Sequence, residues 1–204
     1  MSKRIHFIKG LKPGNLVLDI GCGTGSILEK LSENGYNAFG VDSSRKMLIQ
    51  MQKKKLNRGI CGTSINLPFR DSTFDLVITV ATFHHIADAL SVRKTIGEMV
   101  RVVKSGGAIV IWDHNKNNPY WPFLMSRLPQ DSGAERLIPA KEIINCLKKV
   151  KGVRSIKHYY SGFVADFVPN KLLSFAKMSE KFLESIPIVR NFSAHNVIVA
   201  FKGR

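Results

Sequence analysis

Leu16-Val17-Leu18-Asp19-Ile20-Gly21-Cys22-Gly23-Thr24-Gly25-Ser26-Ile27-Leu28 carries a hydrophobic run into a helix through three alternating glycines. Val17 to Ile20 reads as a buried β-strand, and Ser26 to Glu33 as a helix with Ile27, Leu28 and Leu31 on one side. Glycine between them allows positive φ and lets a ligand lie directly on the backbone. The free N–H groups of the helix start face that ligand. Asp42 ends the next hydrophobic run, Ala38 to Val41, where a carboxylate can accept from a ribose diol. The stretch therefore predicts an α/β fold with a nucleoside cradle.

Outward from the cradle, strands and helices alternate up to residue 113. A helix is expected from about Arg45 to Lys55, with Met47, Leu48 and Met51 as its stripe, then a short strand at Ile60-Cys61. Phe74 to Val80 is a strong strand. Val92, Ile96, Met99, Val100 and Val103 follow a helical period, with Gly106-Gly107 expected to stop that helix. Ala108 to Trp112 is another buried strand. Such alternation gives a doubly wound, mostly parallel sheet with helices on both faces. From Asp113 the character changes. Asn115 to Asp131 is polar, Pro-rich and aromatic, a segment expected to be an irregular lid or loop. A helix from Ala140 to Lys149, a strand from Val153 to Tyr160, a helix from Asn170 to Ser185 and a closing strand from Asn196 to Phe201 follow.

The 204 residues suit one domain, 1–204, able to bury roughly 70% of its unfolded surface. Its cofactor half is about 10–113 and its acceptor or lid half about 114–204. No apolar run approaches the roughly 20 residues that span a bilayer. Cys22, Cys61 and Cys146 are scattered and match no metal or disulfide spacing, so no metal is expected and a reduced, cytoplasmic protein is. The formal charge of +16 is spread along the chain: residues 1–113 hold 16 basic and 9 acidic residues, residues 114–204 hold 15 and 6. Lys53-Lys54-Lys55 reads as a solvated helix end, or as attraction to phospholipid headgroups, a lipid-linked phosphate or RNA. A peripheral seat on the inner membrane face is the membrane contact this composition allows.

The ligand can be narrowed. Dinucleotide folds prefer G-x-G-x-x-G, and here the third glycine falls one residue early. Phosphate loops need a Lys after their last glycine, but Ser26-Ile27 follows Gly25. Asp19, inside the strand end, would repel a pyrophosphate yet suits a ligand with an ammonium group. S-adenosylmethionine has an α-ammonium, a ribose and an adenine, and no phosphate.

Four motifs in order resemble the class I S-adenosylmethionine-dependent methyltransferases, in particular the small type related to ubiquinone/menaquinone-biosynthesis methyltransferases. They are Leu16 to Gly25, Gly40-Val41-Asp42-Ser43-Ser44 with Met47-Leu48, Leu67-Pro68-Phe69-Arg70-Asp71-Ser72-Thr73-Phe74-Asp75, and Val102-Val103-Lys104-Ser105-Gly106-Gly107. The resemblance implies a seven-stranded Rossmann-like methyltransferase sheet with an antiparallel last strand, and S-adenosylmethionine as cofactor. It implies that Gly21, Gly23 and Gly25 lie against the methionine and ribose, that Asp19 orients the ammonium, that Asp42 holds the ribose hydroxyls and that Ser43 meets the adenine edge. Where the family has an Asp for the adenine amino group, this chain has Thr63-Ser64, whose hydroxyls can accept. Cys22, in the loop, and Ala81, after the fourth strand, complete the implied cofactor set.

Methyl transfer from a sulfonium needs mainly in-line placement and exclusion of water, and positioning alone can supply roughly 7–11 kcal/mol. Ala81-Thr82-Phe83-His84-His85-Ile86 sits beside the expected binding point. His85 is the candidate catalytic base for a hydroxyl acceptor, with His84 and His114 ranked lower; the alternative is that one or both of His84 and His85 pack structurally. Asn118-Pro119-Tyr120 is similar to a base-amino methyltransferase motif but falls after the wrong strand. Cys61 is expected to be a small buried hydrophobe rather than a nucleophile. Tyr120-Trp121-Phe123 could wall the acceptor, and the helix with Lys171, Lys177 and Lys181 could cover the pocket, rest on a membrane or pack on the sheet. The expected activity is methyl transfer to a small-molecule or lipid-linked acceptor. An RNA acceptor, or cofactor binding without catalysis, are the alternatives.

Overall fold

The apolar runs at residues 17–20, 74–80 and 108–112 form the middle of one sheet and are almost wholly buried on both faces, as parallel strands covered by helices must be. β1 (Leu16–Ile20), β2 (Asn37–Asp42), β3 (Gly59–Cys61), β4 (Phe74–Val80) and β5 (Val103–His114) are parallel. β6 (Val153–Ser161) and β7 (His195–Lys202) complete the order β3-β2-β1-β4-β5-β7-β6, with β7 antiparallel to both of its neighbours. The doubly wound sheet and its antiparallel last strand are as the sequence predicts. This computed structural model describes residues 2–86, 88–125, 135–162, 179–180 and 182–204.

Helices cover both faces. α1 (Ser2–Gly10), α2 (Ser26–Glu33) and α3 (Arg45–Lys53) bury Ile5, Ile8, Leu28, Leu31, Leu48 and Met51 against Val17, Leu76, Ile78 and Trp112. On the other face α4 (Ala89–Val102), with α5 (Tyr120–Met125) between it and α6 (Ala140–Lys149) in the chain, packs beside α6. Val92, Ile96, Met99, Ile143 and Leu147 meet Leu18, Val77, Ile109 and Ile198 there. Side-chain caps start two of these helices: Ser44 Oγ accepts from Met47 N, and Asp88 Oδ1 accepts from Leu90 N and Ser91 N. The strand order reverses beside β1, between β2 and β4, so their carboxyl ends open a crevice.

The Leu67-Pro68-Phe69 stretch is clamped onto α4. Arg101 donates to Leu67 O and Phe69 O, and Glu98 accepts from Leu67 N at 2.7 Å. That clamp sets the chain leading from β3 into β4.

Four expectations need correction. The helical period assigned to Val103 belongs to α4 only as far as Val102; Val103 begins β5 and pairs with Phe74, so the helix passes straight into a strand. Gly106 and Gly107 lie within that strand and do not stop the helix. Part of the Asn115–Asp131 stretch is ordered as α5. Cys61 is exposed, because β3 pairs with β2 alone and forms the sheet edge. The amino-terminal α1 is an addition: its charged composition hides the Ile5 and Ile8 spacing that buries it. The helix from Asn170 to Ser185 lies largely outside the described residues, with Lys171, Lys177 and Lys181; within it Phe182 is 67% exposed, so that side chain does not pack on the sheet.

Candidate active site

The glycine run makes a tight cradle at the carboxyl end of β1. Gly21, Gly23 and Gly25 all have positive φ, of 72°, 53° and 79°. Gly21 N donates to Val41 O at 2.7 Å, which ties the loop to the end of β2. The two later glycines face different surroundings. A Cβ on Gly23 would meet nothing within 4 Å, so its open side is room for a ligand. A Cβ on Gly25 would fall 2.6 Å from Met51 Cγ and 2.9 Å from Leu56 Cδ1, so this glycine serves helix packing. Cys22 also turns inward: its Sγ packs against Gly40, burial pushes its thiol pKa up, and only its backbone belongs to the loop.

Beside the cradle lies a cavity of about 470 Å3, in the range of small-ligand pockets. Its wall brings together Gly21, Asp42, Ser43, Thr63, Ser64, Ala81 and His85 of the expected set. Asp42 Oδ2 accepts from Gly23 N at 2.7 Å and Oδ1 from Ser44 N at 2.8 Å. Each carboxylate oxygen has a further lone pair for a hydroxyl donor. Ser64 Oγ shares a hydrogen bond of 2.9 Å with Thr95 Oγ1 of α4, and Thr63 Oγ1 accepts from Ile65 N. Ala81 holds a positive φ of 53°, an uncommon state for a residue with a Cβ, at the exit of β4. Its N–H donates to Trp112 O at 2.8 Å, which fixes that turn against β5.

Asp19 stands apart from the cavity wall and is 2% exposed, with no hydrogen-bond partner for Oδ1 among the described residues. Burial, helped by the charge of Asp42 and opposed by Arg4, pushes its pKa up to about 8. A buried carboxylate oxygen without a donor is costly unless a ligand supplies one.

Beyond β4, Thr82 and Asp113 organise the loop that bears the histidines. Thr82 Oγ1 lies near the carbonyls of Ile20 and Val80, 3.3 and 3.2 Å away, and its side chain sits against Gly21, where a Cβ would meet it at 2.4 Å. Asp113 accepts four hydrogen bonds: from Thr82 N, Phe83 N, His84 Nδ1 and His114 N. Burial raises its pKa, but the His84 bond and charge, with the His114 N–H, more than offset this, so the carboxyl stays below its usual range. The sequence reading missed both residues. An acidic residue directly after the last apolar position of a strand, as at Asp113, was the available signal.

The two adjacent histidines therefore differ. His84 is 3% exposed and spends Nδ1 on Asp113, which gives it the structural role. His85 lines the cavity with a half-exposed side chain, and its Nδ1 lies 3.8 Å from Glu135 Oε1. His114 stacks on Trp121 with centroids 3.6 Å apart, and burial, then the charge of His84, pushes its pKa down to about 3. It remains neutral at ordinary pH and is a poor proton acceptor.

His84, Asp113 and His114 bring donor atoms within 4.8 Å of one another. The two rings are stacked at 24°, however, and ring lone pairs lie in the ring planes. Nearly parallel planes do not converge on one ion at the roughly 2.0–2.1 Å that imidazole ligation of zinc requires. With both Asp113 oxygens engaged, the cluster is a hydrogen-bonded scaffold.

Other features resolve simply. Asn118 Oδ1 accepts from Tyr120 N and its amide donates to Phe192 O, so the Asn118-Pro119-Tyr120 motif is a turn. Trp121 covers His114, while Tyr120 and Phe123 are exposed. A larger cavity of about 580 Å3, walled by Asn15, Tyr36, Asn37 and Arg58, lies at the amino ends of β1 and β2, away from the crevice.

Residues 18–111 match the family described as a methyltransferase domain. Probable tRNA methyltransferase 9B of Mus musculus is 35% identical over 107 residues, 52% of this chain and 23% of that protein. Demethylmenaquinone methyltransferase of Corynebacterium urealyticum is 34% identical over 133 residues, 62% of this chain and 56% of that protein. The chain thus spans less than a quarter of the first relative and about half of the second. In overall fold it is similar to a SAM-dependent methyltransferase from Archaeoglobus fulgidus, with a TM-score of 0.72, 20% identity and coverage of 98% and 92% of the two chains.

Proposed function

We propose that this chain, whose residues 18–111 match a methyltransferase domain, is a class I S-adenosylmethionine-dependent methyltransferase and that it methylates a small-molecule or lipid-linked acceptor held beside His85. The observation that carries the cofactor reading is the orphaned Asp19 oxygen at the foot of an open glycine cradle. An ammonium group answers it; a phosphate would not. In this reading Gly21 and Gly23 back the sugar and the amino-acid chain, and Asp42 takes the ribose hydroxyls. Ser43, Thr63 and Ser64 border the base, with Cys22, Gly25 and Ala81 shaping the two loops.

The cofactor supplies an activated methyl group. What remains for the chain is to hold the acceptor in line, keep water out and, for a hydroxyl acceptor, take one proton. His85 is placed for the last task because it faces the cavity, with Glu135 behind its Nδ1. Ala81 and Thr82 hold the turn that presents it.

Titration calorimetry with S-adenosylmethionine and S-adenosylhomocysteine tests the cofactor reading, and no heat with either would refute it. Incubation of labelled cofactor with cell extract, followed by separation into lipid, small-molecule, RNA and protein fractions, tests the acceptor class. Label confined to the RNA fraction would overturn the small-molecule reading.

An RNA acceptor is the second reading. The similarity to a probable tRNA methyltransferase and the +16 charge favour it. Binding that falls steeply with salt is its signature. Among the described residues no helix is long and apolar enough to cross a membrane.

A further inference from the structure

The α-amino acid end of the proposed cofactor is a zwitterion, and Asp19 answers only its ammonium. We propose that Arg4, on α1, takes the carboxylate, so that Arg4 and Asp19 form a two-charge clamp. This inference rests on the cofactor reading above and adds a residue outside the matched domain, residues 18–111.

The sheet register puts the two charges on one face. Asp19 pairs with Ile78 and Ile78 with Val110; two residues further along, Val80 pairs with Trp112. Ile78, Val110 and Trp112 bury on the face that α1 covers, with Ile5 and Ile8 among them. The same helix carries the Arg4 guanidinium over the Trp112 ring, 5.6 Å from its centroid. Trp112 thus steers Arg4 across the carboxyl ends of the strands, toward the level where Asp19 gives way to the glycine loop.

Electrostatics agrees with that placement. The Arg4 charge acts on Asp19, drawing its pKa down against burial. Before ligand binds, burial keeps Asp19 protonated at neutral pH, and Arg4 acts on it as a nearby positive charge. An arriving ammonium lets Asp19 ionise, its proton passing to solvent, and the ligand carboxylate becomes the counter-charge for Arg4. No buried charge is left bare at either stage, which avoids the penalty of an unpaired ion. A guanidinium offers five N–H donors in a planar fork, so it can take a carboxylate while still lying on the indole.

The helix is also held at its start. Lys3 lies 3.2 Å from Glu180 and 2.8 Å from Glu184, which ties α1 to the chain beyond β6. The neighbouring Arg4 is therefore fixed at both sides, by Ile5 in the core and by this ion pair.

The test compares two ligands on one set of variants. S-adenosylhomocysteine carries the amino-acid end; methylthioadenosine has the same nucleoside and thioether without it. Arg4→Gln should weaken S-adenosylhomocysteine at least about tenfold and leave methylthioadenosine within about twofold, with Arg4→Lys recovering part of the loss. Unchanged S-adenosylhomocysteine affinity in Arg4→Gln, or an equal loss for both ligands, overturns the clamp. Equal loss would mean that Arg4 only supports the fold. Wild-type protein that binds neither ligand would instead refute the cofactor reading beneath it.

Discussion

The Asp42 carboxylate accepts from the Gly23 N–H at 2.7 Å, so the end of β2 holds the glycine loop of β1 in shape from across the crevice. Its other oxygen accepts from Ser44 N at the start of α3. One side chain thus joins two elements and still faces the cavity. Asp42→Ala removes those contacts together with the proposed ribose contacts. Charge-assisted hydrogen bonds contribute roughly 1.5–3 kcal/mol each, so S-adenosylhomocysteine should bind at least about tenfold more weakly by calorimetry. An unaltered affinity would remove Asp42 from the site.

Gly23 and Gly25 should separate binding from stability. Alanine at either position is strained by its positive φ, at a cost of roughly 1–2 kcal/mol. Gly25→Ala adds a clash with Met51 and Leu56, so it should lower the melting temperature more while ligand affinity changes little. Gly23→Ala fills the open side of the cradle and should reduce affinity more than stability. Thermal melts beside calorimetry distinguish the two, and the reverse pattern would contradict the cradle assignment.

His85→Ala should slow methylation of a hydroxyl acceptor by roughly 10²–10⁴-fold, the usual contribution of a general base. S-adenosylhomocysteine affinity should stay within a few-fold. The measurement is the rate of S-adenosylhomocysteine release under saturating cofactor. A rate that survives unchanged would mean that the acceptor needs no base from this residue.

Asp19 and His114 should leave opposite marks on the pH dependence of stability. His114 is held neutral in the fold, with its pKa at about 3, so the unfolded chain binds the extra proton between that value and the ordinary histidine pKa near 6.5. Stability from this group therefore falls as pH drops through that window, by up to about 1.4 kcal/mol per pH unit. Asp19 is raised to about 8, so the folded chain keeps a proton that the unfolded chain releases, and stability falls as pH rises from about 4 to about 8. Relative to wild type, His114→Phe should gain most toward acid pH and Asp19→Asn most toward alkaline pH. Denaturant titrations across pH check both, and pH-independent differences would contradict both assignments. Asp19→Asn should also lose cofactor affinity, so that stability and binding move in opposite directions.

Asp113→Ala leaves two loop N–H groups and the His84 ring without their acceptor. Breaking a buried charged hub of this kind typically costs roughly 3–5 kcal/mol. A large drop in melting temperature is expected, together with weaker methylation, because His85 sits on the loop that Asp113 holds. A variant as stable as wild type would show that the hub is not what positions the loop.

The fold was legible where one pattern dominated. The apolar runs at Val17 and Phe74 can only be buried strands, and the glycines between Ile20 and Ser26 can only be a turn onto a helix. Val103 satisfies two patterns at once, the helical period of α4 and the apolar start of β5, and strand pairing with Phe74 decided between them. Cys61 misled because a three-residue apolar run does not say whether its strand is central or at an edge. Several residues expected at the site line one cavity, but the directions of their side chains were not legible. Cys22 and Gly25 stand in the loop yet turn their side-chain positions inward, and His84 and His85 divide their roles through Asp113, which is distant in sequence. Arg4 was out of reach, because its place depends on a helix whose hydrophobic residues are outnumbered by charged and polar ones.

The sheet order has a consequence for how the chain is made. β6 reaches the sheet only through β7, which leaves the ribosome after it. During synthesis β1 to β5 can assemble while β6 waits unpaired and the outer edge of β5 stays open to other chains. Lys3 likewise waits for Glu180 and Glu184. α1, translated before every strand of the sheet, is thus among the last parts to be locked, and a truncation ahead of β7 would yield an adhesive intermediate rather than a shorter protein.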